Sequence, residues 1–172
     1  MFKTILNSSK LLQKRMFNTL SGNTILDIKG SPPKSLKSLY ESDKKFKTLS
    51  YNTRNNCLDF VECKVKKINK RSLLNIIFKN GSIKCSPDTR FITTYFTEIE
   101  ASKSYKSSIK SRDCYDSVHS MVEVQNLESE DLYYVEAYGD NFFVITSFDN
   151  EPSYNSEDSL HDLNCNGIFV KT

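Results

Sequence analysis

Over long stretches of the chain, apolar and polar residues alternate at every second position, the period of strands that are buried on one face only. Cys57 to Ile68 carries the longest alternating run and predicts an antiparallel strand with one wet face. Val118 to Val124, Leu132 to Ala137 and the apolar run Asn141 to Ile145 predict further strands. Leu73 to Lys79 is rich in branched and aromatic side chains, Asn80-Gly81 is a hairpin-turn pair, and Ile83 to Cys85 begins a return strand. Pro87-Asp88 then breaks the pairing before Phe91 and Ile92 re-enter the core.

Between these runs the punctuation is polar. A Gly-started strand runs from Gly22 to Ile28, followed by a turn at Lys29 to Pro33 and a short amphipathic helical turn at Lys34 to Tyr40. Asn52 to Asn56 predicts a turn. Ala101 to Arg112 predicts an exposed Ser/Lys-rich excursion, and Asp149 to Ser159 an acidic loop. The expected architecture is all-β.

Residues 1–18 break the pattern. They contain no acid, and at about 100° per residue Lys3, Lys10 and Lys14 fall opposite Phe2, Ile5, Leu12 and Met16. This basic amphipathic helix has the composition of a mitochondrial presequence, with Arg15-Met16-Phe17 near a plausible processing point. A helix docked on the domain or on a partner, and a disordered arm, are the other readings; with them goes a cytoplasmic location. The division that follows is a basic N-terminal segment, 1–18, and one β domain, 19–172.

Length and composition narrow the class. A chain of 172 residues suits one domain with a sizeable core, and no stretch approaches the ~20 apolar residues of a membrane-spanning helix. Cys57, Cys63, Cys85, Cys114 and Cys165 are odd in number and lack CxxC spacing, so reduced thiols are expected, with one disulfide and then a metal site as the lesser readings, and no cofactor. The net charge of +3 conceals opposite blocks: residues 1–112 sum to +15 and residues 113–172 to −12. Core-type residues run through both, so the two are expected to fold against each other.

The hairpin and its flanks resemble the hedgehog/intein (Hint) superfamily. There, a hairpin ending in Asn-Gly or Asp-Gly precedes Thr-Pro-Asp-His; here the letters are Ser86-Pro87-Asp88-Thr89. Gly22-Asn23-Thr24 is similar to the Gly-Asp-Thr of the first Hint block, which puts Thr19 at the nucleophile position. Phe46 to Asn52 resembles the family's Val-Leu-Ser-Tyr-Asn strand, and Glu130 to Ala137 resembles its Val-Tyr-Asp-Ile-x-Val strand. His161-Asp162-Leu163 and Asn166-Gly167-Ile168-Phe169-Val170-Lys171-Thr172 resemble the final block, in which Asn-Gly-Ile-x-Val precedes His-Asn. The resemblance implies a horseshoe-like disc of intertwined antiparallel strands over residues 19–172. It also implies autocatalytic protein cleavage or splicing as the ancestral chemistry.

The residues at those positions suit the chemistry poorly. Cleavage starts when a thiol or hydroxyl attacks the preceding carbonyl, and Thr19 supplies the hydroxyl in a form far less readily ionised than Cys. The departing amide nitrogen needs a proton donor, and Thr89 stands where the family has histidine. Lys171 and Thr172 replace the His-Asn pair whose Asn cyclises, and ligation to a following segment is not expected. His161 retains a family position, although beside Asp162 a structural hydrogen-bonded role is its ordinary reading.

Three functions follow. The first is a catalytically inactive Hint domain kept as a structural or interaction module, an accessory subunit of a mitochondrial assembly with a protein partner. The second is residual self-cleavage using Thr19. The third is a basic nucleic-acid-binding module with Lys64, Lys66, Lys67, Lys70 and Arg71 as candidate contacts.

Overall fold

A computed structural model describes residues 18–69, 72–112, 114–125, 127, 130–146 and 166–172. The expected N-terminal helix, the acidic loop, His161, Lys70 and Arg71 lie outside the described residues. The strands, in order, are β1 (Leu20–Ser21), β2 (Ile25–Leu26), β3 (Lys34–Ser35), β4 (Phe46–Asn52), β5 (Cys57–Ile68), β6 (Leu74–Phe78) and β7 (Gly81–Cys85). They continue with β8 (Arg90–Ile92), β9 (Glu98–Glu100), β10 (Ser108–Lys110), β11 (Tyr115–Glu123), β12 (Leu132–Ala137), β13 (Asn141–Ile145) and β14 (Gly167–Lys171). One described helix, α1 (Leu36–Ser42), starts where the Ser35 side chain accepts the Ser38 N–H and stops at Asp43, whose φ of 48° is left-handed. It buries Leu36 and Leu39.

Two antiparallel sheets share the strands. The first has the order β10-β11-β6-β7-β1-β12-β5-β4, the second β3-β2-β13-β14-β8-β9. Early and late parts of the chain are interlaced: β1 lies between β7 and β12, and β2 pairs with β13. Asn141 stitches β13 to β4, its side chain accepting the Tyr51 N–H (2.9 Å) and donating to the Tyr51 C=O (3.0 Å). The core runs between the sheets, with Leu20, Leu26, Ile76, Phe78, Phe91, Phe142 and Ile168 almost wholly buried. Burying each such side chain favours folding by about 1.5–3 kcal/mol.

The charge blocks meet as expected. Lys66 pairs with Glu136 at 2.9 Å, Lys67 with Asp131 at 3.2 Å, Lys37 with Asp131 at 3.7 Å and Lys84 with Glu130 at 3.0 Å. Each joins a cation of the first block to an acid of the second, and the β5–β12 register, with Val65 opposite Val135, brings two of them together.

Three local expectations are corrected. The hairpin turn is Lys79-Asn80, because Gly81 already pairs with Phe78. Glycine is needed at 81 for close approach: a Cβ there would lie 2.8 Å from the Thr146 backbone. The Gly22 strand is split in two at Gly22-Asn23, since Gly22 N–H turns aside to the Asp131 carbonyl (2.9 Å). Ala101 to Arg112 is no exposed excursion: Ala101, Ser104, Ile109 and Ser111 are buried, and Ser104 satisfies its hydroxyl on the Ala101 carbonyl (2.7 Å). Small side chains that hydrogen-bond their own backbone can be buried without an apolar signature.

Among the described cysteines, Cys57, Cys63 and Cys85 carry free thiols and Cys114 is disulfide-bonded, which corrects the uniformly reduced expectation. No described helix is long and apolar enough to cross a membrane.

Candidate functional site

Two buried residues at the start of the described chain, Asn18 and Thr19, are gripped from three directions. The side chain of Asn18 behaves like a strand: its Oδ1 accepts the Val135 N–H at 2.8 Å and its Nδ2 donates to the Val135 carbonyl at 3.3 Å. The same Nδ2 donates to the Lys171 carbonyl, also at 3.3 Å, so one amide spans β12 and the end of β14. Thr19 lies on the Pro87 corner. Its carbonyl accepts the Ser86 N–H at 2.9 Å, and its N–H donates to the Thr89 hydroxyl oxygen at 3.1 Å.

That corner builds itself locally. Ser86, Pro87, Asp88 and Thr89 form a turn closed by the Thr89 N–H on the Ser86 carbonyl (3.1 Å). Within it the Ser86 hydroxyl donates to the Asp88 carboxylate at 2.5 Å, leaving the Ser86 oxygen to accept from Thr89 at 2.9 Å. The charge-assisted bond to Asp88 polarises the pair, so the Thr89 proton is drawn toward Ser86 and a Thr89 lone pair is turned to the Thr19 N–H. The Thr89 hydroxyl is also within donating distance, 3.3 Å, of the Thr19 carbonyl, which competes with Ser86 for that proton. Thr89 and Thr19 are almost fully buried, at 0% and 1% exposure.

The surrounding groups offer little reactivity. Cys85, opposite Leu20 in the sheet, is the nearest thiol in register; burial pushes its ionisation far up, and the hydrogen bond with Thr89 offsets this only in part. It stays a protonated thiol. Among the described residues the Thr19 hydroxyl has no hydrogen-bond partner that could act as its base. Lys171 turns its ammonium to Glu98 at 3.2 Å, and Glu98 also pairs with Arg90 at 3.0 Å. Thr172 is tied down by its hydroxyl on the Gly139 carbonyl (2.6 Å) and its N–H on the Asp140 carbonyl (3.1 Å). No cluster of three or more His, Cys, Asp and Glu able to hold a metal occurs among the described residues.

The fold has relatives among solved structures. It is similar to the DnaB intein from Synechocystis sp. PCC 6803 (TM-score 0.68, 19% identity, 90% of this chain and 98% of that one). A bacterial intein-like domain from Clostridium thermocellum (0.61, 13%, 92% and 100%) and the DnaX mini intein from Spirulina platensis (0.60, 16%, 90% and 99%) share it. This chain has the intein-type Hint fold. At the level of sequence no protein-family model and no curated protein matches it.

Within the Hint disc the structure brings together what the motif comparison could only align. Thr19, Ser86 and Thr89 meet around the Thr19 backbone, and Lys171 reaches the Asn18 side chain through its own backbone carbonyl. His161 is outside the described residues. Asn18 and Asp88 were missed as site residues. Asp88 had a local signal, standing two residues after Ser86 in a Ser-Pro-Asp-Thr turn; Asn18 had none, because its partners lie 117 and 153 positions away.

Of the residues proposed for nucleic acid, Lys64, Lys66 and Lys67 sit on β5. Lys64 faces Asp43 at 3.5 Å, Lys66 faces Glu136 and Lys67 faces Asp131, so each has an acid of its own chain beside it. Such exposed pairs contribute little stability, yet they lower the free positive charge a phosphate backbone would meet.

Proposed function

We propose that this chain is a Hint domain that no longer cuts itself and serves as a structural or interaction module, an accessory subunit of a mitochondrial assembly. The observation that carries the reading is the direction of the Thr89 hydrogen bond. Breaking the Asn18–Thr19 amide requires a proton to be delivered to its nitrogen as the bond opens. Thr89 instead accepts the proton already there, and its own hydroxyl proton has the Ser86 oxygen and the Thr19 carbonyl as acceptors in reach. A hydroxyl does not ionise at neutral pH, so the turn stabilises the intact amide where a general acid would favour its departure.

The weak nucleophile and the tethered C-terminal residues support the same reading. Thr19 is buried with no described base, and the Lys171 and Thr172 side chains are engaged with Glu98 and Gly139. The mitochondrial part rests on the acid-free amphipathic sequence of residues 1–18.

Intact-mass measurement of the purified protein during prolonged incubation tests inactivity: the chain stays whole. A break between Asn18 and Thr19 that appears without protease and vanishes in Thr19→Ala would establish residual self-cleavage instead. Sequencing the N-terminus of the protein isolated from cells tests the location; a start within residues 15–19 marks removal of the basic segment, and retention of Met1 contradicts import by presequence.

A further inference from the structure

The β4–β5 hairpin carries apolar side chains that its sheet does not cover. Leu49 pairs with Phe60 and Tyr51 with Leu58, and residues directly opposite each other in an antiparallel ladder share a face. Leu49 and Tyr51 are buried in a small second core with Ile92, Phe143 and Phe169, whereas Leu58 and Phe60 beside them are each 37% exposed. Phe96 extends this surface. Its ring stacks on Tyr51 (centroids 5.3 Å apart, planes at 13°), stays 45% exposed, and is held there by a left-handed φ of 60°, a conformation rare for a bulky side chain.

The cations of this face have rings where other lysines have acids. Lys29 Nζ lies 5.4 Å from the Phe60 ring centre, and Lys110 Nζ lies 4.8 Å from that of Tyr51 and 5.8 Å from that of Phe96. Among the described residues neither lysine has an acid within salt-bridge distance, whereas Lys64, Lys66 and Lys67 sit beside Asp43, Glu136 and Asp131. Arg112, 6.0 Å from the Phe143 ring, extends the positive edge, with Asp27 at 3.8 Å taking part of its charge. An exposed cation–π contact is weak, and the full charge of a phosphate attracts an ammonium more strongly than a ring quadrupole does. Each lysine that moves to a phosphate uncovers the ring face beneath it.

We propose that this face binds single-stranded nucleic acid, with phosphates on Lys29 and Lys110 and unstacked bases on Phe60 and Phe96. The rings decide between nucleic acid and an acidic peptide: bases stack on them, whereas their negative faces repel carboxylates. A duplex keeps its bases stacked on one another and has none to offer. The surface is distinct from the acid-paired lysines of β5, and the inference is independent of whether the Hint site cuts.

Fluorescence anisotropy of a labelled oligothymidine strand titrated with the full chain tests it. Binding is expected at low salt, with log affinity falling against log salt at a slope of about −1.4 or steeper for two neutralised phosphates. Lys29→Gln/Lys110→Gln weakens binding on the order of tenfold and flattens that slope, while Lys64→Gln/Lys66→Gln removes the same charge and changes affinity by less than about twofold. Phe60→Ala/Phe96→Ala trims two exposed rings and lowers affinity on the order of tenfold. An abasic strand of equal length binds the native chain more weakly by a similar factor; this comparison needs no variant and keeps the test decisive if the ring variant misfolds. No binding at low salt, equal losses in the two lysine variants, or an abasic strand bound as tightly as oligothymidine each overturn the proposal. So does polyglutamate bound as tightly as the oligonucleotide, which identifies the face as a site for an acidic peptide.

Discussion

The Thr89 hydroxyl accepts the Thr19 amide proton at 3.1 Å, at the peptide bond whose cleavage the proposed function addresses. Thr89, where the family resemblance leads one to expect histidine, meets this amide as a hydrogen-bond acceptor. The scaffold around the bond is intact: Ser86 N–H holds the Thr19 carbonyl and Asn18 is locked between two strands.

Restoring the two absent functional groups should restore cleavage. In Thr19→Cys/Thr89→His, incubation with thiol is expected to split the chain before residue 19, read by intact mass. Either single variant should react slower by ~10²–10⁴, the usual worth of a positioned acid or base. The larger ring in a fully buried site costs about 1–3 kcal/mol of packing, so folding is checked by circular dichroism alongside. A folded double variant that stays whole would mean that more than these two side chains withholds the reaction.

Asn18 should matter for stability. Asn18→Ala removes the strand-like clasp and leaves the buried Val135 N–H and carbonyl without it, at a cost of about 1–3 kcal/mol. Urea denaturation gives the difference. A variant as stable as the parent would show that water or backbone rearrangement replaces the clasp.

Two glycines predict contrasting outcomes. At Gly167 a Cβ would sit 2.1 Å from the Phe143 ring and 2.7 Å from the Val144 carbonyl oxygen, so Gly167→Ala should displace β14 and cost about 3 kcal/mol or more. At Gly30 nothing lies within 4 Å, but φ is +74°, and Gly30→Ala should cost only about 1–2 kcal/mol from backbone strain. Thermal melting of the two variants side by side tests the order.

The stability of the fold should fall in acid. For Glu98 and Glu130 burial opposes ionisation, but it is outweighed, by Arg90 and Lys171 in the first case and by Ser21 and Lys84 in the second, so both sit below the ordinary Glu range. Depressed folded values mean that the stabilisation is present above about pH 4.3 and is lost as pH falls through those values. Asp116 runs the other way, since burial raises its carboxyl and the folded state then takes up a proton first, partly offsetting the loss. Urea midpoints measured from pH 6 to pH 3 should decline, with a shallower slope in Glu98→Gln and Glu130→Gln. An unchanged slope in both would assign the acid sensitivity to other carboxylates.

Local grammar accounts for much of what was legible in advance. Cys57–Ile68 appears with its expected bounds because alternation and flanking turns are properties of neighbouring residues, whereas Phe46–Asn52 was legible through its likeness to the family's strand. The one-residue shift of the hairpin turn and the burial of Ala101 to Ser111 were not legible. Gly81 answers to Thr146 and the buried serines answer to packing, which neighbouring residues do not encode.

The amino-acid sequence alone determined the strand content, the two opposed charge blocks and the identity of the groups at the chemical positions, because a hydroxyl in place of a thiol or an imidazole is a property of one residue. Only the tertiary structure decided which atoms those groups face. Whether Thr89 gives or receives a proton, and that Asn18 joins Val135 to Lys171, depends on contacts between residues 70 to 153 positions apart, formed when the interlaced sheets close around a shared core.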